Sequence, residues 1–229
     1  HSANILDESK HSLSYGINIQ NPTADLCGVI KRSRGVADKM SKGVTFLMKK
    51  NKIDVVMGFG KLKAKGQIEV TAQDGTKKIV EAKYIIIATG GRSRELPNLK
   101  QDGKKIIGYR EAMILPTQPK SMVIVGSGAI GVEFAYVYNS LGTKVTLVEF
   151  MPRVVPVEDE EISKELEKQL KKQGIEIMTS ANVESVDTNG NGIKASVKKQ
   201  DGSTIILEAD ILLSAVGVVA NIEGIGLEE

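Results

Sequence analysis

The sequence contains almost no cysteine and almost no histidine. Its 229 residues hold a single cysteine, Cys27, and two histidines, His1 and His11. One cysteine excludes a disulfide scaffold and a cysteine-rich zinc site within these residues. The two histidines have no acidic or cysteine cluster at ligand spacing, so we interpret them as surface residues. We therefore expect no metal site and a protein of a reducing compartment, the cytoplasm or an organelle matrix.

Long apolar runs and a strong excess of one charge are also missing. No apolar stretch approaches the ~20 residues that cross a bilayer, so we expect no membrane span. The 31 basic and 28 acidic residues leave a net charge of +3, which gives no electrostatic footprint for nucleic acid. The basic residues between Lys31 and Lys50 fit a solvated helix face, with a polyanion site as the alternative. The hydrophobic share of 41% and the charged share of 26% are those of an ordinary globular protein.

The spacing of apolar residues predicts a helix and a β-meander in the first half of the chain. From residue 25 to residue 51 the apolar side chains recur at helical intervals, although Gly35 and Gly43 weaken the pattern. Strands are predicted at 53–59, 67–72, 77–82 and 84–88, with a turn at Asp74 and Gly75 between the second and third. A loop rich in proline and arginine then leads to Pro119. We place a domain boundary there, between residues 1–118 and 119–229.

The second half has the pattern of a βαβ unit followed by hairpins. A strand at 121–125 turns at Gly126 into a helix that reaches about Leu141, where Gly142 suits a left-handed cap. Further strands are predicted at 144–149, 175–178 and 210–216. Residues 159–173 predict a helix because acids open it, lysines close it and apolar residues recur four apart. Two hairpins lie between the last two strands, with turns at 189–192 and at Asp201 and Gly202.

The two halves resemble each other. In both, an Asp-Gly turn precedes the glycine of an Ala-X-Gly ending, Gly90 or Gly217, with sixteen residues from the Asp to that glycine. The strands in between align as well, YIIIATG at 84–90 against ILLSAVG at 211–217. This predicts a duplicated nucleotide-binding unit whose first copy lacks its opening βαβ. Because the sequence starts at His1 in a polar segment, we expect that missing piece to precede His1; chance similarity of two apolar strands is the alternative.

Residues 126–131, GSGAIG, have the spacing of a phosphate-binding loop. A lone GxGxxG is a weak signal, but this one follows an apolar strand and opens an apolar helix, as the dinucleotide fingerprint requires. Gly126 would allow the tight turn, Gly128 the approach of a pyrophosphate, and Gly131 the close packing of helix on strand. The helix N-terminus would then face the phosphates. The alternative is a glycine-rich turn without a ligand.

The acid Glu149 ends the next strand, eighteen residues after Gly131. An acid about 20 residues beyond the loop accepts hydrogen bonds from the adenosine ribose of NAD. A 2′-phosphate at about 4 Å would be repelled by roughly 4 kcal/mol at an effective dielectric of 20, so the sequence favours NAD over NADP. Arg153 is the counter-argument, since a nearby arginine can receive that phosphate. Glu133 is either an acid of the first helical turn or a contact to the nicotinamide end of the cofactor.

Together these motifs resemble the flavoprotein disulfide reductases, and within them the dihydrolipoamide dehydrogenase branch. The similarity spans essentially the whole chain. It rests on five stretches: ATG at 88–90, VGSGAIGVEF at 125–134, VEFMPRVVP at 148–156, EEISK at 160–164 and GIGLE at 224–228. The resemblance implies an α/β fold, a three-layer Rossmann-like FAD/NAD(P)-binding fold with a β-meander and two related nucleotide-binding units, the first incomplete.

The resemblance also implies cofactors and site residues. NAD contacts would come from Gly126, Ser127, Gly128, Ala129, Ile130, Gly131, Val132 and Glu133, from Glu149 at the ribose, from Val183 at the adenine edge and from Gly217 near the nicotinamide. FAD contacts would come from Gly60, Thr89, Gly90 and Gly91. For Gly60 and Gly90, a role in backbone turns is the alternative. After Gly217 the family commonly has a turn containing arginine, where this chain reads VVAN.

Several family motifs have no match here: the flavin pyrophosphate loop, the redox-active Cys-x-x-x-x-Cys pair, the later Gly-Asp flavin motif and the C-terminal His-Glu pair. Cys27 cannot replace the pair, because a lone thiol cannot cycle between dithiol and disulfide within one chain. We therefore expect no catalytic residue in these 229 residues. They would be the NAD-binding portion of an enzyme that oxidises dihydrolipoamide on a lipoyl-bearing acyltransferase, a homodimer when intact. A mercuric reductase, a transhydrogenase and a non-catalytic NAD-binding module are the alternatives.

Overall fold

The computed structural model describes residues 1–227, so Glu228 of the GIGLE segment lies outside the described residues. The chain forms two compact units. The first comprises residues 1–33 and 93–217, and the second comprises residues 34–92 and those from 218 onward. These units reflect packing, whereas the boundary near Pro119 concerns which cofactor each part binds, and that boundary stays a prediction.

Strands and helices alternate between residues 121 and 178, and the described residues after them form strands only, as the sequence predicts. The helices are α1 (Ser2–Lys10), α2 (Leu26–Lys50), α3 (Tyr109–Ala112), α4 (Ala129–Ser140) and α5 (Glu160–Lys172), and a 3-10 turn lies at Ser12–Tyr15. The strands are β1 (Phe59–Ala64), β2 (Gln67–Thr71), β3 (Lys77–Glu81), β4 (Gly91–Ser93), β5 (Ile106–Ile107), β6 (Ser121–Val125), β7 (Lys144–Val148), β8 (Glu176–Met178), β9 (Asn182–Asp187), β10 (Ile193–Lys198), β11 (Thr204–Ala209), β12 (Ile211–Ser214) and β13 (Val218–Ala220). None of the helices within residues 1–227 has both the length and the apolar character of a membrane span.

A five-stranded parallel sheet forms the centre of the first unit, in the order β5-β12-β6-β7-β8. Its register places Val125 at the end of β6 beside Val148 of β7 and Ser214 of β12. Three strands therefore end at one edge of the sheet. The residues that follow them, Gly126 and Glu149 among them, meet there, at the edge where open α/β sheets bind ligands.

Alternate residues of the central strands pack against two different layers. Met122 and Ile124 of β6 join a buried cluster with residues of α3, α4 and α5. Val123 and Val125 join a second cluster with residues of the antiparallel sheet β9-β10-β11. Because successive side chains of a strand point to opposite faces, an apolar run is buried on both sides. The predicted three-layer α/β fold is thus confirmed.

The ends of α5 and α4 follow from their sequences. The Asp159 carboxylate accepts hydrogen bonds from the backbone N–H groups of Glu161 at 2.9 Å and Ile162 at 3.2 Å, which caps α5. Gly142 follows α4 with φ +101°, the left-handed geometry predicted for it. Such caps satisfy polar groups that a helix leaves unpaired at its ends.

The second unit contains a β-meander like the one in the first. Strands β1, β2 and β3 pair in sequence order, and the Gly75 N–H closes the predicted Asp-Gly turn onto the Ala72 carbonyl at 3.0 Å. The Leu62 N–H donates to the Ile225 carbonyl at 2.7 Å, which fixes the C-terminal segment on this sheet. Since β9-β10-β11 form the corresponding sheet of the first unit, the prediction of two related units is confirmed.

Two predicted strands are wrong. Residues 53–58 and 84–88 form no strand; Val55 is 60% exposed and Ile86 is 90% exposed. Both are apolar runs of the kind that parallel sheets bury on two faces. No strand within residues 1–227 pairs with either run, so neither run is part of a sheet despite its composition. The sequence pattern also missed α1, α3, β1 and the short strands β4, β5 and β13.

Tyr138 of α4 is a buried polar anchor whose removal we expect to cost stability. Its hydroxyl donates to the Ala112 carbonyl at 2.6 Å in a buried site. Tyr138→Phe leaves that carbonyl unpaired, so the free energy of unfolding should fall by about 1–2 kcal/mol in urea denaturation. Tyr136→Phe is the matched control, because its hydroxyl bonds Asn4 at an exposed site. Equal losses in both variants would contradict this role for Tyr138.

The same tyrosine makes stability depend on alkaline pH. Burial raises the pKa of Tyr138 from 10.0 to about 12. A group with a raised folded-state pKa contributes stability that is complete below its unfolded pKa and is lost as pH rises through the folded one. We therefore expect the wild-type protein to lose stability between pH 10 and about 12. Tyr138→Phe should lack this component.

Candidate functional site

The turn after β6 depends on two glycines. Gly126 has φ +98°, and a Cβ there would lie 2.8 Å from the Ala215 carbonyl carbon. A Cβ on Gly131 would lie 2.9 Å from the Gly126 carbonyl carbon and closer still to its oxygen. The first glycine therefore allows the tight turn, and the second lets α4 lie directly on it. These are the geometric roles that the dinucleotide fingerprint gives to its first and third glycines.

Gly128 lies in open space at the N-terminus of α4. A Cβ on Gly128 would have no heavy atom of the described residues within 4 Å. No side chain within residues 1–227 caps this helix end, in contrast to the Asp159 cap of α5. An uncapped helix N-terminus has free N–H groups and a partial positive charge, which suit a phosphate. The space above Gly128 therefore fits the pyrophosphate of a dinucleotide.

Glu149 ends β7 and its carboxylate is tied to the glycine loop. The side chain is only 7% exposed. One oxygen, Oε2, accepts the Ser127 backbone N–H at 2.6 Å and the Ser127 hydroxyl at 2.7 Å. The other, Oε1, accepts the Met151 N–H at 2.8 Å. Three donors thus hold a buried carboxylate in one orientation, and they hold the loop against the end of the neighbouring strand.

The carboxylate of Glu149 has room for one more donor. An ionised carboxylate offers roughly four acceptor positions, two on each oxygen. Ser127 uses both positions of Oε2, and Met151 uses one of Oε1. One acceptor position on Oε1 therefore remains for a ligand hydroxyl. Glu149 has this capacity at the place where the sequence predicts the adenosine ribose.

The residues around the loop differ in what they can reach. Ala129 and Glu133 are exposed on α4, whereas Ile130 and Val132 are partly buried. Val132 packs against the helical core. Arg153 donates from Nη2 to the Pro156 carbonyl at 3.0 Å, so part of its guanidinium already serves the chain that follows β7. This weakens the case for Arg153 as a receptor of a 2′-phosphate.

Val183 and Gly217 lie in different settings. The Val183 side chain is 4% exposed within the second core cluster, and its carbonyl accepts the Asn98 side-chain amide at 2.8 Å. Because the side chain is buried, any contact of Val183 with adenine would involve its backbone atoms. Gly217 is exposed with φ +111°, and its carbonyl accepts the Arg94 N–H at 2.9 Å. A Cβ on Gly217 would have no heavy atom of the described residues within 4 Å.

The predicted FAD residues of the second unit contact the segment after Gly217. The Thr89 hydroxyl donates to the Asn221 carbonyl at 2.5 Å, and the Asn221 N–H donates to the Gly90 carbonyl at 3.0 Å. A Cβ on Gly91 would lie 3.1 Å from the Val219 carbonyl oxygen. Gly60 lies in β1 and pairs with Val70 of β2. Close backbone approach thus accounts for Gly91, and the FAD contacts of these four residues stay a prediction.

Sequence reasoning missed the ion pair that follows these residues. Arg92 donates to both carboxylate oxygens of Glu223, at 2.9 and 2.7 Å, and to the Asn221 side chain at 3.1 Å. The Arg92 hydrogen bonds lower the pKa of Glu223 to about 2. Arg92 and Glu223 are 131 residues apart, so no local pattern could have indicated the pair. These bonds anchor the VVAN segment at residues 218–221, where the family commonly has a turn that contains arginine.

Three features define this chain as a dinucleotide-binding α/β protein. They are a parallel sheet, a glycine turn under an uncapped helix, and an acid at the end of the next strand that is hydrogen-bonded to that turn. Residues 5–229 match the family described as pyridine nucleotide-disulphide oxidoreductase. The chain belongs to that family. Membership implies FAD and NAD as the cofactors.

Individual relatives agree with the family match. The chain is 43% identical over 227 residues to a dihydrolipoyl dehydrogenase of Chlorobaculum tepidum, covering 99% of this chain and 48% of that protein. It is 41% identical over 228 residues to a dihydrolipoyl dehydrogenase of Zymomonas mobilis, covering 100% and 49%. The crystal structure of LpdA from Mycobacterium tuberculosis superposes with a TM-score of 0.88 at 29% identity, covering 99% and 49%. The predicted resemblance is thus confirmed, and the chain spans about half the length of the relatives it matches.

Proposed function

We propose that this chain is the NAD-binding portion of an FAD-dependent dihydrolipoyl dehydrogenase. The complete enzyme would convert dihydrolipoamide and NAD⁺ to lipoamide and NADH through an enzyme disulfide and FAD. The observation that supports this best is the Glu149 carboxylate, buried and tethered to the glycine loop with one acceptor position left. The similarity to proteins named dihydrolipoyl dehydrogenase, at 41% and 43% identity, supports the choice of substrate.

In this proposal the loop and its helix bind the dinucleotide. The N-terminus of α4 and the open face of Gly128 receive the pyrophosphate, and Glu149 accepts a hydrogen bond from the adenosine ribose. Glu133, exposed on α4, and Gly217 lie toward the nicotinamide. The bound nicotinamide supplies the hydride acceptor, and the residues of this chain orient it and exclude the 2′-phosphate form.

The FAD contacts are proposed for Gly60 and for Thr89, Gly90 and Gly91. The division into an FAD part at residues 1–118 and an NAD part at residues 119–229 belongs to the same proposal. Cys27 is the sole cysteine and a lone thiol cannot form the disulfide within one chain. The redox pair of the proposed enzyme therefore belongs to residues outside these 229. Partners are proposed to be a lipoyl-bearing acyltransferase and a second copy of the enzyme, in the cytoplasm.

The proposal is tested with the full-length protein. We expect a yellow, FAD-containing preparation that binds NADH more tightly than NADPH and forms NADH when dihydrolipoamide and NAD⁺ are supplied. A colourless protein that binds NADH would instead be a non-catalytic NAD-binding module. Residues 1–229 alone should form no NADH from dihydrolipoamide, and a measurable rate from them would overturn the assignment of the catalytic cysteines to other residues.

A further inference from the structure

Within the described residues, Ser127 is the only residue of the loop whose backbone and side chain both donate hydrogen bonds to Glu149. Its side chain is fully buried. The N–H and the hydroxyl both donate to Oε2, at 2.6 and 2.7 Å. The middle position of a GxG turn is variable in the fingerprint, so the fingerprint itself gives this side chain no task.

We propose that Ser127 is a positioning residue for cofactor selection: its hydroxyl saturates Oε2 of Glu149, so that Oε1 alone accepts a hydrogen bond from the ribose. This inference rests on the proposed NAD site. The hydroxyl adds the second donor that fills Oε2, and the Met151 N–H fixes Oε1 from the opposite side. The carboxylate therefore cannot rotate to accept two ribose hydroxyls without breaking a bond to the chain.

The fixed orientation affects NAD and NADP in opposite directions. A carboxylate held in place presents its free acceptor position to the ribose, which favours NADH. The same carboxylate cannot turn away from a 2′-phosphate, so the like charges stay close and NADPH is excluded. Removing the hydroxyl should weaken the binding of NADH and reduce the repulsion of the 2′-phosphate of NADPH. Both changes lower the preference for NADH.

Ser127→Ala in the full-length protein tests this. We expect the ratio of the NADPH and NADH dissociation constants, measured by fluorescence titration, to fall about tenfold, since a hydrogen bond to a charged group is worth roughly that factor. In a Glu149→Gln background the same substitution should leave the ratio unchanged, because Ser127 acts through the carboxylate charge. An unchanged ratio in Ser127→Ala, or an equal fall in both backgrounds, would overturn the proposal.

Two other buried serines of the first unit serve as controls. The Ser163 hydroxyl donates to the Val154 carbonyl at 2.5 Å, so Ser163→Ala should lower stability without changing the ratio. Ser214 has a buried hydroxyl with no partner within residues 1–227, so Ser214→Ala should leave the ratio unchanged and should not lower stability. If Ser163→Ala shifts the ratio as far as Ser127→Ala does, the effect is structural and the positioning role is wrong. Absence of NADH binding in the wild-type protein would instead contradict the proposed function.

Discussion

Gly131→Ala is expected to lower the free energy of unfolding by about 3 kcal/mol, the upper end of the usual cost of overpacking a tight contact, and to abolish NADH binding. The methyl group would lie on the Gly126 carbonyl and 3.5 Å from the Ala215 Cβ. Neither group is the end of a flexible side chain, so the whole of α4 must move away from the turn. That movement withdraws the helix N-terminus from the position of the pyrophosphate.

Gly128→Ala is the matched control for this prediction. No heavy atom of the described residues lies within 4 Å of a Cβ at this position, and its φ of −66° suits alanine. We expect stability within about 0.5 kcal/mol of the wild type but weaker NADH binding, because the methyl group enters the space proposed for the pyrophosphate. Urea denaturation and NADH titration measure the two effects separately. If Gly128→Ala binds NADH like the wild type, the pyrophosphate does not lie above Gly128.

The order of elements in the second half was predictable because its signals are local. The loop 126–131 sits between an apolar strand and an apolar helix, and a glycine pattern of this kind specifies its own backbone. The Asp-Gly turns and the Gly142 cap are likewise set by residues next to one another. Such features need no knowledge of the rest of the fold, and the structure has them where the sequence indicates them.

The errors concern features that depend on distant residues. Residues 53–58 and 84–88 have the composition of buried strands, but a strand needs a partner, and none of residues 1–227 supplies one. The proximity of Arg92 to Glu223 arises from a crossing of segments far apart in the chain. The spacing of Glu149 indicated a ribose contact, but only the fold shows that Ser127 and Met151 already occupy most of its acceptor positions.

Glu149→Arg is expected to raise the NADH dissociation constant about 100-fold, the equivalent of one or two hydrogen bonds to a charged acceptor, and to reverse or abolish the preference for NADH. The guanidinium has donors only, so it cannot accept the N–H groups of Ser127 and Met151 that Glu149 now satisfies. The glycine loop therefore loses its tether in addition to the ribose contact. Any gain for NADPH from the positive charge is reduced by the displaced loop.

Glu149→Gln separates the two effects, because it removes the charge and keeps the shape. Its carbonyl oxygen can still accept the two Ser127 donors, so the loop keeps these two bonds and loses only the one from the Met151 N–H, which the Gln NH₂ cannot accept. The repulsion of a 2′-phosphate disappears. We therefore expect Glu149→Gln to improve NADPH binding with a smaller loss of stability than Glu149→Arg. Equal stability of the two variants would show that the carboxylate does not hold the loop. An unchanged ratio of NADPH to NADH affinity in both would show that Glu149 does not face the ribose.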